Sequence, residues 1–300
     1  MNNLQGWINI YKPQNISSGK VINLIKKKFQ IKKLGHVGTL DPLAEGVLPI
    51  AIGKTTKLIP FVNTLNKEYE FDIKWGEQTS TDDREGTIIA RSNNIPNNQT
   101  IKKRAEEFLG WNLQKPPKAS AVKINGIRAY KLFRANIDFE IKNKKVFLSE
   151  CKILESNNDI TKFYIICSKG FYIRSFARDL AEKLDTTGHI FSLKRTKVGK
   201  FSLNNAILLD DLLKIRQTHS EFKDIHPSIS MLDDILAYEI DDEELIKEIS
   251  QGKSVKIDKN FIADKSLSHK EKTLFITYNN LVLSFGNFDG CFFKPKKVLI

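Results

Sequence analysis

The sequence predicts an α+β fold with a mixed, mainly antiparallel sheet, followed by a small β-rich domain. Strand-like and helix-like segments follow one another without the regular rhythm of βαβ units. Residues 67–75 alternate cleanly between apolar and polar side chains, which is typical of a half-buried strand. The composition changes around Pro227–Asp234, beyond which short strand-like runs dominate. We therefore expect a larger domain at residues 1–230 and a smaller one at 235–300.

The N-terminal segment predicts a strand followed by a helix. Residues 6–11, GWINIY, form a short apolar run with the length of a strand. Ser17 or Ser18 can cap a following helix. Apolar residues then recur at helical spacing and share one face: Val21, Ile22, Ile25 and Phe29.

The middle of the chain predicts a hairpin and a second helix. The alternation of residues 67–75 places Tyr69, Phe71, Ile73 and Trp75 on one side of a strand. We expect Thr87–Ala90 to pair with this strand across the turn-rich segment Thr79–Gly86. Residues 100–109 predict a capped helix that Gly110 ends.

The later part of the larger domain predicts one strand and two helices. Phe163–Cys167 form an apolar run typical of a buried strand. Apolar residues at helical spacing run from Ile173 to Leu184, and Gly188 lies just past them. Residues 206–216 predict a further short helix.

The charge of the chain favours a polyanionic partner. Forty-eight Lys and Arg residues stand against 35 acidic residues, so that the net charge is +13 and the isoelectric point is about 9.4. Affinity for nucleic acid rests largely on neutralising phosphates. Because the chain is also rich in Lys, Asn and Ile throughout, the charge alone supports this interpretation only weakly. The basic segment at 115–145 carries interleaved aromatic residues, which suits a nucleic-acid clamp or, equally, a short helical excursion with a solvated face.

Several classes of protein are disfavoured by the sequence. No run of 18 apolar residues predicts a membrane span, and the N-terminus lacks the apolar core of a signal peptide. Three scattered cysteines, Cys151, Cys167 and Cys291, favour reduced thiols in a cytoplasmic protein, and the scattered histidines make a zinc site unexpected. The segment Gly53–Thr56 is similar to the end of a P-loop, but the first Gly of that motif would fall at Leu48. We therefore reject a nucleotide hydrolase and expect no metal.

The most distinctive stretch is the loop Gly35–Pro49, which contains one carboxylate, Asp41, among small and rigid residues. Pro42 biases Asp41 away from the helical conformation. On these residues alone, a turn in which Asp41 bonds its own backbone and a functional carboxylate are both open.

The stretch GHVGTLDPLAEGVLPIAIG resembles the signature of the bacterial tRNA pseudouridine-55 synthase family, and further blocks follow in the family's order. Each is similar to one family motif: Tyr11–Pro13 to DKP, Lys67–Tyr69 to KxY, Gly76–Gly86 to GxxTxTxDxxG, Gln114–Lys123 to QxPPxxSAxK, Cys167–Arg174 to CSKGTYIR, and Leu193–Gly199 to LRRTxxG. Together the blocks cover residues 6–216.

The resemblance implies a fold of the pseudouridine-synthase type and an isomerase that converts uridine 55 in the T-loop of tRNA to pseudouridine. It assigns the catalytic roles to Asp41, Tyr69 and Arg174. Asp41 would act as a nucleophile at the sugar or as a base on it, and Arg174, if close, would favour the ionised carboxylate. No cofactor is implied, because no electrons or groups leave in an isomerisation.

The resemblance also implies a set of substrate-binding residues: His36, Tyr172, Leu193, Lys12, Lys67 and Asp83. His36 would insert where the flipped base was, and Tyr172 and Leu193 would line the uracil. Lys12 would contact a phosphate or brace the loop. The implied partner is the T-stem-loop of tRNA, bound by a monomer whose residues 235–300 form an RNA-binding-like domain.

The sequence departs from the family at positions beside the expected site. Val37 replaces the Thr of GHTG, Phe171 replaces the Thr of KGTYIR, and Lys144 stands where Arg is usual. A non-catalytic RNA-binding or tRNA-folding protein is the alternative. That class explains the charge but does not require Asp41, Tyr69 and Arg174 together.

Overall fold

The computed structural model describes residues 4–62, 66–215, 224–232, 236–257 and 272–299. Its main feature is a ten-stranded sheet in the order β14-β1-β3-β12-β4-β11-β10-β7, with β2 on β3 and β13 on β12. The strands of this sheet are β1 Gly6–Lys12, β2 Leu34–His36, β3 Glu45–Ile52, β4 Lys67–Trp75, β7 Gly110–Gln114, β10 Lys144–Asn157, β11 Ile160–Cys167, β12 Gly188–Val198, β13 Phe201–Ser202 and β14 Ile207–Leu208. Among the described strands of this sheet, only the β1–β14 and β3–β12 pairs are parallel. The predicted mixed, mainly antiparallel α+β fold is confirmed.

Shorter elements complete the larger part of the chain. Two small hairpins are formed by β5 Glu77–Thr79 with β6 Ile88–Arg91, and by β8 Lys123–Ile124 with β9 Ile127–Arg128. The helices are α1 Ser18–Phe29, α2 Ile59–Val62, α3 Asn98–Glu106, α4 Ala129–Arg134, α5 Ile173–Lys183 and α6 Leu209–Lys214.

A second sheet of five strands follows, in the order β15-β17-β18-β19-β16. The strands of this sheet are β15 Ala237–Glu239, β16 Val255–Lys256, β17 Lys272–Tyr278, β18 Leu281–Phe288 and β19 Phe292–Val298. One helix, α7 Glu243–Ser250, lies between β15 and β16 in the chain. The predicted β-rich tail is therefore present. The boundary expected at 230–235 falls partly on residues 233–235, which lie outside the described residues.

Local sequence signals place the elements around the site. The Ser17 side chain accepts a hydrogen bond from the Lys20 amide at the start of α1, and the predicted apolar face of that helix is buried. Strand β4 buries every second residue, as its alternation predicts. It lies between β11 and β12, antiparallel to both.

Three sequence predictions are wrong in detail. Thr87–Ala90 does not pair with β4, because both edges of β4 are already occupied; β6 pairs with β5 instead. The helix expected at 100–109 is α3, which starts earlier because Asn97 caps it. The helix expected at 206–216 is shortened to α6, since Ile207 and Leu208 pair with β1; residue 216 lies outside the described part of the chain.

The described residues form three apolar cores, of which two involve the main sheet and one lies within the small sheet. The first packs α1, α3 and α5 against one face of the main sheet and includes the aromatic group Phe71, Phe163 and Phe176. The second joins the two sheets, because Trp7 and Val47 cluster with Phe275, Phe285 and Leu299. The small sheet therefore shares a core with β1 and β3.

Candidate active site

The loop that carries Asp41 lies between β2 and β3 and is held from two neighbouring segments. Ser18 Oγ donates to the Leu40 carbonyl and accepts from the Leu40 amide, both at 2.9 Å. The buried ammonium of Lys12 donates to the carbonyls of Pro13 at 2.8 Å and Ile16 at 2.7 Å, and reaches that of Pro42 at 3.4 Å. These bonds favour the loop-bracing alternative for Lys12 over contact with a phosphate.

Arg174 meets Asp41 from the first turn of α5. Its Nη2 lies 2.9 Å from Asp41 Oδ2, and the Arg174 side chain is 4% exposed against 37% for Asp41. Nη2 also donates to the Ala119 carbonyl at 3.0 Å, and Nη1 donates to the Thr81 carbonyl at 2.9 Å. Nη1 lies 3.3 Å from Asp83 Oδ2. One guanidinium therefore connects the Asp41 loop, the turn at 79–86 and the basic segment.

Asp83 holds Arg174 from the side away from the solvent. Its Oδ1 accepts from the Thr81 hydroxyl at 2.6 Å and from the Glu85 amide at 3.1 Å. Burial raises the pKa of the Asp83 carboxyl, against the nearby charge of Arg174. Asp83 is not among the residues that line the cavity described below, so its contact is with Arg174.

The start of the basic segment is fastened to α5. Gln114 donates through Nε2 to the Tyr172 carbonyl at 3.0 Å and accepts through Oε1 from the Tyr172 amide at 2.8 Å. The Lys115 carbonyl accepts from Ser175 Oγ at 2.7 Å and from Arg178 Nη2 at 2.8 Å. These bonds fix Tyr172 next to Arg174.

The Asp41 carboxylate lines a cavity of about 260 Å³. Of the residues assigned from the sequence, six line it: Asp41, Lys67, Tyr69, Tyr172, Arg174 and Leu193. Ser120, Ala121, Lys169 and Arg195 add further polar and small surfaces. Pockets for drug-sized ligands span about 300–1,000 Å³. This cavity therefore suits a single base with its ribose better than a large cofactor.

Arg195 is a site residue that the sequence interpretation did not single out. It is fully buried, and it donates through Nε to the Val47 carbonyl at 2.7 Å and through Nη2 to the Gly38 carbonyl at 2.9 Å. Its position opposite Gly46 explains the glycine there, because a Cβ at that residue would lie 2.2 Å from the Arg195 carbonyl oxygen. Arg195 thus ties β12 to the Asp41 loop.

Burial governs the Tyr69 hydroxyl. The charge of Arg195 favours the phenolate, yet burial dominates and raises the pKa of Tyr69 to about 12. Burial and the charge of Arg195 lower the pKa of the neighbouring Lys67 to about 8. Tyr69 is therefore a protonated phenol at neutral pH, with two cationic side chains beside it.

His36 lies outside the cavity lining, on β2 opposite Ile50 of β3. Its Nδ1 is buried and has no hydrogen-bond partner among the described residues. Burial lowers the pKa of His36, and the charge of Arg195 acts in the same direction. A neutral imidazole therefore stands at the end of β2, directly before the Asp41 loop.

Comparison with known proteins places this site in a family. Residues 26–173 match the TruB family pseudouridylate synthase N-terminal domain, and residues 174–237 match the tRNA pseudouridylate synthase B C-terminal domain. The tRNA pseudouridine synthase B of Ehrlichia chaffeensis is 40% identical over 262 residues, which cover 86% of this chain and 88% of that protein. The chain belongs to the TruB family of pseudouridine synthases. The tRNA pseudouridine synthase B of Rickettsia bellii is 38% identical over 289 residues, covering 95% of both chains.

Solved structures support the fold. A chain of a Cbf5–Nop10–Gar1 complex superposes with a TM-score of 0.73 at 23% identity, covering 98% of this chain and 85% of that one. A chain of an H/ACA ribonucleoprotein bound to a substrate RNA gives a TM-score of 0.72 at 20% identity, with the same two coverages. Within the part of the chain that the structure describes, no helix is long and apolar enough to cross a membrane.

Two of the three departures from the TruB motifs are buried side chains, and the third is exposed. Val37 is fully buried in the core that joins the two sheets. Phe171 is buried against Phe176 of α5, with ring centroids 6.1 Å apart. Lys144 is exposed at the start of β10, opposite Gln114.

Proposed function

We propose that this TruB-family chain converts uridine 55 in the T-loop of tRNA to pseudouridine, with Asp41 as its catalytic carboxylate. The observation that carries the proposal is the Asp41–Arg174 pair, in which a buried guanidinium presents a part-exposed carboxylate to a cavity of nucleoside size. The names of the relatives supply the substrate class. The position in the T-loop rests on the resemblance of the sequence motifs.

The chemistry is an isomerisation within one nucleotide. The bond between ribose C1′ and uracil N1 breaks, the uracil turns, and C1′ bonds to C5 while the C5 proton leaves and N1 gains a proton. Asp41 acts on the ribose, as a nucleophile or as a base. Because every atom except exchangeable protons stays in the nucleotide, the residues of the cavity supply all the groups required and no cofactor takes part.

Tyr69 and Leu193 supply the walls for the uracil, and Tyr172 stands beside Asp41. A phenol with a pKa of about 12 keeps its proton at neutral pH. Tyr69 can therefore stack on the base and donate a hydrogen bond. Any transfer of the C5 proton to Tyr69 passes through a phenolate, which the adjacent Arg195 would stabilise.

The remaining parts of the chain bring the RNA to this cavity. A base inside a folded loop must leave its stack to reach Asp41, and His36 takes the place of the flipped base. The basic segment 115–145 clamps the T-stem-loop, Lys67 holds the nucleotide and Lys12 and Asp83 keep the loop and Arg174 in place. In this proposal the chain acts as a monomer in the cytoplasm, with residues 1–230 as the catalytic domain and 235–300 as an accessory RNA-binding domain.

The test compares Asp41→Asn with the parent protein on an unmodified tRNA transcript in single turnover. We expect Asp41→Asn to form no pseudouridine while its affinity for tRNA stays within about threefold. The matched control is Glu70→Gln. Glu70 lies on the face of β4 opposite Tyr69, so this variant should have the activity of the parent. Measurable turnover by Asp41→Asn would falsify the catalytic assignment, and an inactive parent that binds tRNA would favour the RNA-folding alternative.

The same assay tests the position of the target. A transcript with cytidine in place of uridine 55 should yield no pseudouridine and should bind with nearly unchanged affinity. Pseudouridine mapped elsewhere in the parent transcript would contradict the T-loop assignment while leaving the chemistry of Asp41 intact.

A further inference from the structure

The last strand of the main sheet carries an exposed aromatic surface outside the cavity. On β7, Trp111 is 65% exposed and Leu113 is 73% exposed. Trp111 lies opposite Phe147 of β10, with ring centroids 5.2 Å apart, and Lys145 Nζ stands 4.6 Å from the centre of a Trp111 ring. Trp111, Leu113, Lys145 and Phe147 together form what we call the edge platform.

The platform differs from the other tryptophan environments of this chain. The sequence has three tryptophans, and Trp7 and Trp75 are almost completely buried. Leaving a large indole in water forfeits the free energy that its burial would provide. An exposed aromatic pair with a cation beside it is therefore a surface that a flat ligand would stabilise.

The charge around the platform selects the ligand. Lys115, Lys144, Lys145 and Lys169 are exposed at this end of the sheet, with Lys145 on the face of Trp111 and Lys144 on the other face, and none of them has an ion pair among the described residues. An aromatic surface surrounded by cations is the arrangement that binds single-stranded nucleic acid, because bases stack on the rings and phosphates meet the lysines. A second protein chain would bring no comparable reason for four unpaired lysines.

The platform adjoins the cavity around the free edge of the sheet. Trp111 and Gln114 are three positions apart on β7, about 10 Å along the strand, and their side chains leave it on opposite faces. Gln114 is bonded to Tyr172 in the cavity wall. Phe147 and Ser168 exchange two hydrogen bonds of 2.9 Å, and the residue after Ser168, Lys169, lines the cavity. About three stacked nucleotides span 10 Å.

We infer that the edge platform binds nucleotides flanking the target uridine, with an RNA base stacked on Trp111 and phosphates on the surrounding lysines. This inference rests on the proposed function for the identity of the RNA. The platform acts in binding and touches no reacting atom, so it should influence the affinity for RNA and leave the chemical step unchanged.

The test uses Trp111 as its own probe, since it is the one exposed tryptophan of the three. With the full chain carrying Asp41→Asn to prevent turnover, addition of unmodified tRNA transcript should quench the tryptophan emission and protect it from iodide. Trp111→Ala should bind this transcript about tenfold more weakly, and Trp111→Phe, which keeps a stacking ring, should stay within about threefold. Leu208→Ala is the matched control, because Leu208 is an exposed apolar residue on β14, the opposite edge of the sheet.

Kinetics of the otherwise wild-type enzyme separate this inference from the proposed function. Trp111→Ala should raise KM about tenfold with kcat unchanged, as expected for a lost binding contact. Unchanged affinity in Trp111→Ala, or iodide quenching that tRNA does not alter, would overturn the inference even if the parent forms pseudouridine. Iodide protection that grows with protein concentration without RNA, together with a dimer that Trp111→Ala abolishes, would assign the platform to a second copy of the chain. If the parent binds tRNA through Trp111 but forms no pseudouridine, the proposed function is wrong and the RNA-binding role of the edge platform is retained.

Discussion

Replacing Arg174 by lysine should damage both the fold and the reaction, although the charge is retained. Each of the two Nη atoms of Arg174 donates one hydrogen bond to a carbonyl, of Thr81 or Ala119, and lies in ion-pair contact with one carboxylate, of Asp83 or Asp41. Lysine offers three hydrogens on one nitrogen, which can reach the partners of one Nη atom. One hydrogen bond to a carbonyl and one ion-pair contact with a carboxylate are then lost.

The size of the effect follows from those two contacts. A hydrogen bond to a charged group is worth about 1.5–3 kcal/mol and a neutral one about 0.5–1.5 kcal/mol. We therefore expect Arg174→Lys to lower the free energy of unfolding by about 2–4 kcal/mol. A loss of the same size in transition-state stabilisation would reduce kcat/KM by roughly 30- to 1,000-fold.

The assay follows tritium release from C5 of uridine in tRNA, alongside urea denaturation of the same preparation. Arg104→Lys is the matched control: Arg104 is exposed on α3, pairs with Glu107 and does not line the cavity. We expect the control to stay within about threefold of the parent rate. An Arg174→Lys enzyme within threefold in rate and about 1 kcal/mol in stability would show that charge alone suffices and would refute the argument from fork geometry.

Two further predictions concern the shared core and the buried lysine. Phe275→Ala should destabilise the chain by about 3–5 kcal/mol, and because Phe275 clusters with Trp7, tryptophan emission and circular dichroism should shift together in denaturant. If the midpoint of unfolding measured by tryptophan emission stays unchanged while that measured by circular dichroism falls, the two sheets unfold separately. Burial lowers the pKa of Lys12 from 10.5 to about 8, so between pH 8 and 10.5 the unfolded chain binds more protons and this residue makes stability rise with pH. Lys12→Met should reduce that rise between pH 8 and 10; an unchanged slope in denaturant titrations would contradict the shifted pKa.

Local signals in the sequence were sufficient for the elements that they specify directly. The serine cap and the apolar face predict α1, and alternation predicts β4, because each depends on residues a few positions apart. The pairing of Thr87–Ala90 could not be predicted in the same way. Whether β4 has a free edge depends on β11 and β12, which lie about 100 residues further along the chain.

The site residues likewise divide into those that the sequence predicted and those that it did not. The family motifs predict that Arg174 lies close to Asp41, and the structure brings them to 2.9 Å. Arg195 was missed because an arginine in a strand ordinarily faces water. A signal was present, since Arg195 is two residues from Leu193 and therefore on the same face of β12. The roles proposed for these residues remain predictions, because the geometry gives their positions and the reaction itself tests their functions.

The core shared by Trp7 and Phe275 has a consequence for how this protein is made. Trp7 of β1 packs in a core with Phe275, which lies some 270 residues later in the chain. At synthesis rates of about 5–20 residues per second, that interval is roughly 15–50 s. During this time the core around Trp7 lacks the residues that the small sheet supplies, so we expect the nascent chain to expose part of this core to chaperones.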